Sequence, residues 1–394
     1  MLKGIKGLPV KREACVIIAF LALLSLPLAA LTEKEQDKSS EALNNSKTEA
    51  SSRNWEIIAD SMIYNGYDGN YEGNLNPVLQ FTDVDVFGSG NCFNLLFAGI
   101  FLSLDYTISQ KAEIPFNITI HTDGTAKLLG SDFTFYEKGE ETDWTLKGPG
   151  CNLAVILSRD MDCGFSIKTT QLMNFSDYDS NDTAFVSPEN TATYTGNLDL
   201  SYTYQPNEDS SESSFPVGFQ IMAIPEVIYQ LNYEDWGPED NLYTHDDTPA
   251  YRGLYQVSCY NASVKRVNWK GQLSYLHGEN LYQLEKWAVG STNAFNGGPR
   301  LDGYYPGEFM TDESFLLNMN LQIVSIPDRV EFLVSYDAFY YGEKERLYQG
   351  SAVDLFVKLG NKASFNFRSG IGWNAERDFL PVGMTHNLLF RYTF

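Results

Sequence analysis

The chain has 394 residues, 43% of them hydrophobic and 14% aromatic, which excludes a disordered chain and leaves room for one large β domain or two ordinary domains. Its net charge of −23 argues against a nucleic-acid partner, because binding nucleic acid needs a basic face. Tyr (24) and Phe (25) supply most of the aromatic content, a composition usual in membrane barrels, whose aromatic girdles mark both interfaces.

The first thirty residues have the layout of a signal peptide. Lys3, Lys6, Lys11 and Arg12 form a positive start, Cys15 to Leu26 is an apolar run, and Leu28-Ala29-Ala30 offers a cleavage site. Residues 31–54 are polar and read as a flexible periplasmic linker. Beyond residue 31 there is no apolar run long enough for a membrane helix. Residues 55–394 are therefore expected to form a single membrane domain built from strands, since only helices and closed barrels satisfy the backbone in lipid.

From Trp55 onward, short alternating segments are separated by Gly, Asn, Asp and Pro clusters. In 314–324, Phe315, Leu317, Met319, Leu321 and Ile323 share one parity, and Leu316, Asn318, Asn320 and Gln322 the other. In 350–359, Val353, Leu355, Val357 and Leu359 oppose Asp354 and Lys358; in 363–373, Phe365, Phe367, Ile371 and Trp373 oppose Asn366 and Arg368. Period 2 puts each set on its own face of a strand, and charges in mid-strand suit a polar lumen. Counting back from the end, long links (374–385, 341–349, 293–313) alternate with short ones (359–362, 325–328), as external loops and periplasmic turns do in outer-membrane barrels. The alternation blurs between about 205 and 265. The fold class is thus all-β, a transmembrane antiparallel β-barrel of the bacterial outer membrane, with its C-terminus on the periplasmic side.

The last residues, Asn387 to Phe394, place Leu388, Phe390, Tyr392 and Phe394 on the lipid side. Tyr392 and the terminal Phe394 match the signal that barrel-assembly machinery reads, with Leu389 where Gly is usual.

Catalytic and metal chemistry find little footing. None of His121, His245, His277 and His386 has the close His-x-Ser of a barrel phospholipase, and His245-Asp246-Asp247 reads as a solvated acidic loop. Tyr67 to Asn70, Asp177 to Asp182 and Asp235 to Asp247 read first as soluble acidic loops and, as the alternative, as ligands for divalent cations of the lipopolysaccharide layer. Cys151, Cys163 and Cys259 share parity with apolar neighbours and are expected to be free, lipid-facing hydrophobes; without a C-x-x-C, zinc is not expected. No cofactor is expected.

The segment AVGSTNAFNGGPRLDGYYPGEFMTDESFLLNMNLQI (288–323) resembles the BamA/TamA superfamily of outer-membrane assembly and translocation barrels, through Gly297, Gly298, Gly303, Tyr304, Gly307, Glu308 and Asn318. Ser335-Tyr336-Asp337-Ala338 is similar to the aromatic-Asp-Ala-Gly pattern of the following strand, and Asp83 to Asn91 looks like the first hairpin of such barrels. The resemblance implies sixteen strands, and a sixth external loop that folds into the lumen and pairs an Arg with acidic wall residues. That Arg falls on Asp302 here, so Arg300 is expected to supply the cation to Asp337, and Asp302 is expected not to partner it. The loop-lock candidates are accordingly Arg300, Asp302, Gly303, Tyr304, Glu308 and Asp337. Residues 31–54 are too few for the family's periplasmic βααββ domains, so the likeness is to barrel-only members.

The resemblance further implies assisted insertion or translocation of a polypeptide or lipid substrate without a catalytic residue. A seam between first and last strands, with edges at Pro77 to Asp83 and Asn387 to Phe394, would template a client strand. The alternative is a passive pore or structural barrel. Expected partners are outer-membrane lipid and lipopolysaccharide, the barrel-assembly machinery during biogenesis, and a client polypeptide.

Overall fold

In the computed structural model, the described residues are 53–394 except 66–70, 87–89, 99–100, 111–113, 126–131, 138–139, 147–149, 162, 181–184, 188–190, 205–217, 232–234, 240–241, 243–247, 265, 282–284, 292–298, 327–328 and 376–381. The expected signal peptide, nearly all of the expected linker, Tyr67 to Asn70, His245-Asp246-Asp247, Gly297 and Gly298 lie outside the described residues.

Sixteen antiparallel strands close into a barrel. They are β1 (Arg53–Asn65), β2 (Tyr71–Asp83), β3 (Cys92–Ala98), β4 (Phe101–Ile108), β5 (Asn117–Thr125), β6 (Gly150–Asp160), β7 (Phe165–Ser176) and β8 (Thr191–Tyr204). The chain continues through β9 (Gly218–Gln230), β10 (Ala250–Val264), β11 (Val267–Glu279), β12 (Ser314–Ile326), β13 (Val330–Tyr341), β14 (Arg346–Leu359), β15 (Ala363–Trp373) and β16 (Val382–Thr393). Each strand pairs with its neighbours in sequence, and β1 pairs with β16, so no barrel edge is left. Both chain ends of the barrel lie at one rim. The opposite rim carries most of the long links, including 126–149, 231–249 and 280–313.

The outward positions form an apolar belt. Leu153, Ile221, Val257, Leu273, Met319 and Val353 are each about half exposed in the isolated chain, an arrangement that water disfavours and lipid satisfies. Aromatic residues gather near both rims. Trp55 packs on Phe81 at 4.6 Å and Tyr392 on Phe394 at 5.1 Å near the chain ends, and Tyr275 stacks on Phe315 at 4.7 Å toward the loop rim. The alternation expected in 314–324 holds: Phe315, Met319, Leu321 and Ile323 face out, while Leu316, Asn318 and Gln322 are buried inside.

Several details differ from expectation. The first strand is Arg53–Asn65, and Pro77 to Asp83 belongs to β2, away from the seam. β1 is hard to see in the sequence because its inward face carries Ile58 and Met62 beside Asp60, so both faces are partly apolar. Asp83 to Asn91 links β2 to β3 and is not the first hairpin. Residues 342–345 alone join β13 to β14, a shorter link than 341–349. Cys163 lies in the turn between β6 and β7, where strand parity has no meaning, whereas Cys151 and Cys259 are exposed outward positions on β6 and β10; none of the three is bridged.

Candidate functional site

The link between β11 and β12 turns into the barrel. Trp287–Val289 and Phe309–Thr311 pair as a short two-stranded ladder at its base. Beyond it, Leu301 donates to the Gly290 carbonyl (2.8 Å) and Ser291 to the Tyr304 carbonyl (3.0 Å), which bundles the loop on itself. Glu308 closes a turn locally: its carboxylate accepts from the Tyr305 amide (3.1 Å), and its own amide donates to the Tyr305 carbonyl (3.2 Å).

The tip, Leu301 to Tyr304, is fully enclosed: Leu301 and Tyr304 are 0% exposed, Asp302 is 2% exposed, and Gly303 is buried. Gly303 adopts φ +83°, a region that favours glycine. A Cβ there would collide with the backbone of Ile371 and Gly372. The wall is equally bare: Gly350, Gly370, Gly372 and Gly383, on β14, β15 and β16, form a floor without side chains under the tip. A Cβ on Gly372 would lie 2.6 Å from the Tyr304 ring, and one on Gly370 would lie 3.0 Å from the Gly303 nitrogen.

Tyr304 is the apolar anchor. Its ring sits against Phe309 (5.3 Å) and Tyr348 (6.1 Å) within a cluster that includes Leu276, Val289, Leu301, Leu316, Phe339 and Tyr341. Its single hydroxyl hydrogen is shared between the carbonyls of Gln349 (3.1 Å) and Trp373. Tyr305 reaches the opposite side of the seam, its ring 6.1 Å from Tyr64 of β1.

Asp302 lies among donors. Arg368 of β15 grips its carboxylate with two nitrogens, one of them at 2.9 Å, and Ser335 of β13 donates to it at 2.7 Å. The same Arg368 also holds Asp354 of β14. Asp337 is 0% exposed and accepts from the Asp302 amide (3.0 Å) and from Asn318 (2.7 Å), which also donates to the Arg300 carbonyl (3.0 Å). Thr385 of β16 accepts from the Gly303 amide at 3.2 Å.

This arrangement changes the expected charge pairing. Arg300 enters the lumen, but its guanidinium reaches Asp337 only at 4.0 Å and Asp302 at 3.7 Å, and its short contact is with Asn320 (3.0 Å). The strong cation is Arg368, on the wall, and the strong anion is Asp302, on the loop. The expected repulsion between Asp302 and Asp337 is relieved because Asp302 offers its backbone N–H to Asp337 and its carboxylate to Arg368. Sequence reasoning placed Arg368 on the lumen face and gave it no partner; the residue that arrives opposite it is distant in sequence. Ser335, Thr385 and the glycine floor were not singled out for the site.

At the base of the loop, Lys286 bonds Asp312 (3.0 Å) and Glu343 (3.3 Å). Burial favours its neutral form, but the two carboxylates prevail and hold its pKa above the ordinary lysine value.

At the seam, Glu56 to Tyr64 of β1 pair with Thr385 to Thr393 of β16 over nine residue pairs. Phe394 donates its amide to the Trp55 carbonyl (3.0 Å), and Arg391 meets Glu56 at 3.3 Å. The ladder is thinner elsewhere, since β2 and β3 share only five pairs.

No family model matches the chain, and no curated protein matches it in sequence. Solved structures do share its shape. BamA from Haemophilus ducreyi lacking POTRA domains 1–3 aligns with TM-score 0.57 at 11% identity, covering 88% of this chain and 71% of that one. CdiB from Escherichia coli aligns with TM-score 0.57 at 13% identity, covering 86% and 63%. CdiB from Acinetobacter baumannii aligns with TM-score 0.54 at 12% identity, covering 87% and 60%, so this chain spans less than two thirds of that protein's length. By its closed sixteen-strand wall the chain has the fold of the BamA and CdiB outer-membrane barrels.

Proposed function

We propose that this chain is a plugged outer-membrane barrel of the BamA/TamA type that assists insertion or translocation of a polypeptide or lipid substrate. One observation carries the reading: the tip Asp302 to Tyr304 is seated on β14, β15 and β16, while the adjacent Tyr305 meets β1, so the loop rests beside the seam between first and last strands. In this reading the loop is a charge-reversed lock. Asp302 on the loop and Arg368 on the wall hold it, Gly303 and Tyr304 fit it to the glycine floor, and Asn318 and Asp337 fix its backbone. Arg300 is a lesser contributor, and Glu308 shapes the turn.

A passive pore does not need a re-entrant loop anchored beside its seam, whereas a gated barrel needs a plug whose release can be coupled to the seam. The same reading puts the long-loop rim outside the cell and both barrel ends in the periplasm, after removal of residues 1–30. It gives Tyr392 and Phe394 the role of the assembly signal, and the work requires no catalytic residue.

Depletion of the protein in its own host tests the function. The expected result is reduced abundance of a subset of other outer-membrane proteins or lipids, restored by the wild-type chain and poorly by Arg368→Ala. Unchanged outer-membrane composition, together with a steady ion conductance of the purified protein, would favour the pore instead.

A further inference from the structure

Beside the locked loop lies a cavity of about 670 Å³ between the inner faces of β9 to β12 and the loop base. Four cations line it, Arg252, Lys270, Lys286 and Arg300, and no carboxylate does. In a chain with 51 acidic and 28 basic residues, such a surface is not the average one. We propose that this cavity is a binding site for a small amphiphilic anion, a carboxylate or phosphate ester with a short apolar body.

The four cations are not equally committed. Arg252 is held by Glu226 and lies 4.7 Å from the centre of the Trp287 ring, and Lys286 is held by Asp312 and Glu343. These two are balanced from behind the cavity. Lys270, near the start of β11, has no carboxylate within ion-pair distance among the described residues; its ammonium lies 5.3 Å from the centre of the Tyr260 ring. Its charged neighbour is Arg300, whose carboxylates, Asp302 at 3.7 Å and Asp337 at 4.0 Å, are already engaged by Arg368, Ser335 and Asn318.

Asn320 stands between the two cations: it pairs with Lys270 across the β11–β12 ladder and accepts from Arg300 at 3.0 Å. Lys270, on the wall with no carboxylate of its own and with the Arg300 guanidinium of the loop as its charged neighbour, favours an anion beside it. Polar groups that can orient a head group, Gln272 and Asn318, lie on the same surface. The remaining wall, with Met222, Ile224, Leu254 and Leu316, suits a short hydrocarbon body and gives inorganic phosphate nothing to pack against. This proposal rests on the cavity alone and stands whether the barrel is an insertion device or a pore.

The test is calorimetric titration of the full mature chain, reconstituted in phosphatidylcholine nanodiscs, with hexyl phosphate, hexanoate and hexanol, each corrected against empty nanodiscs. The expected result is saturable one-to-one binding of both anions, tighter for the phosphate ester, and none for hexanol. Lys270→Gln should weaken anion binding about tenfold or more, the scale of one lost charge-assisted hydrogen bond, and Lys270→Arg should retain it. Raising salt from about 0.05 to about 0.5 M should weaken binding in the wild type, a readout that does not depend on any variant folding. Absence of saturable binding, equal binding of hexanol, indifference to salt, or unchanged affinity in a Lys270→Gln protein with normal unheated gel mobility would each overturn the proposal.

Discussion

The inner wall handles its charges in two ways. Across β3 to β7, polar residues satisfy one another. His121 bonds Asp105 at 2.6 Å and Asp123 at 2.8 Å, Asn94 donates to Asp105, and Asn152 donates to Asp123 at 2.8 Å. The side chains of His121, Asp105 and Asp123 keep 23%, 30% and 16% of their surface open. Across β12 to β16 the wall alone does not close its account: Asp337, Asp354 and Arg368 are joined by Asp302 and Arg300, which come from the loop. Asp302 and Asp337 side chains keep only 3% and 0% open there. The first wall is complete without the loop and open to the lumen; the second is complete only with the loop in place. A charged network that needs a partner from a separate loop to be satisfied is a place where loop position and barrel stability are coupled.

That contrast can be broken at graded positions, with stability read as resistance of the unheated, fast-migrating form to urea or heat. Arg368→Ala should have the largest effect, destabilising by about 3–5 kcal/mol, because it leaves Asp302 and Asp354 buried without their cation. Gly303→Ala should cost about 2–4 kcal/mol, from an unfavourable φ and a clash with backbone that cannot move aside, and should make the loop accessible to protease. His121→Ala, on the self-satisfied wall, should cost about 1 kcal/mol, because water can reach the carboxylates it leaves. Arg300→Ala should cost less than about 1 kcal/mol, since its ion pairs are long and its side chain is 27% exposed. If Arg300→Ala equals or exceeds Arg368→Ala, the lock is the ordinary one and the charge reversal is wrong.

Much of this was legible in the sequence where the two faces of a strand differ. Residues 314–324 and 363–373 show their strands because Met319 or Phe367 faces lipid while Asn318 or Arg368 faces the lumen. Ile58 and Met62 hid β1, because buried inward apolar residues erase the alternation. Cys163 was assigned by counting parity through a turn. The re-entry of the loop could be read from its glycines and tyrosines through resemblance. The identity of its cation could not. Asp302 and Arg368 are 66 residues apart, and only the register of β13, β14 and β15 brings Asp337, Asp354 and Arg368 to the height at which the loop tip arrives. The glycine floor was unreadable for the same reason: Gly350, Gly370, Gly372 and Gly383 look like ordinary strand or turn glycines until a second backbone is laid across them.

In the proposed function, a loop seated through Asp302, Gly303 and Tyr304 closes the lumen. Planar-bilayer recording of the purified wild type, Gly303→Ala and His121→Ala tests it most directly. The wild type should be closed except for rare openings, Gly303→Ala should show a persistent open state, and His121→Ala should be indistinguishable from wild type. A wild type with a steady open state that Gly303→Ala leaves unchanged would contradict it.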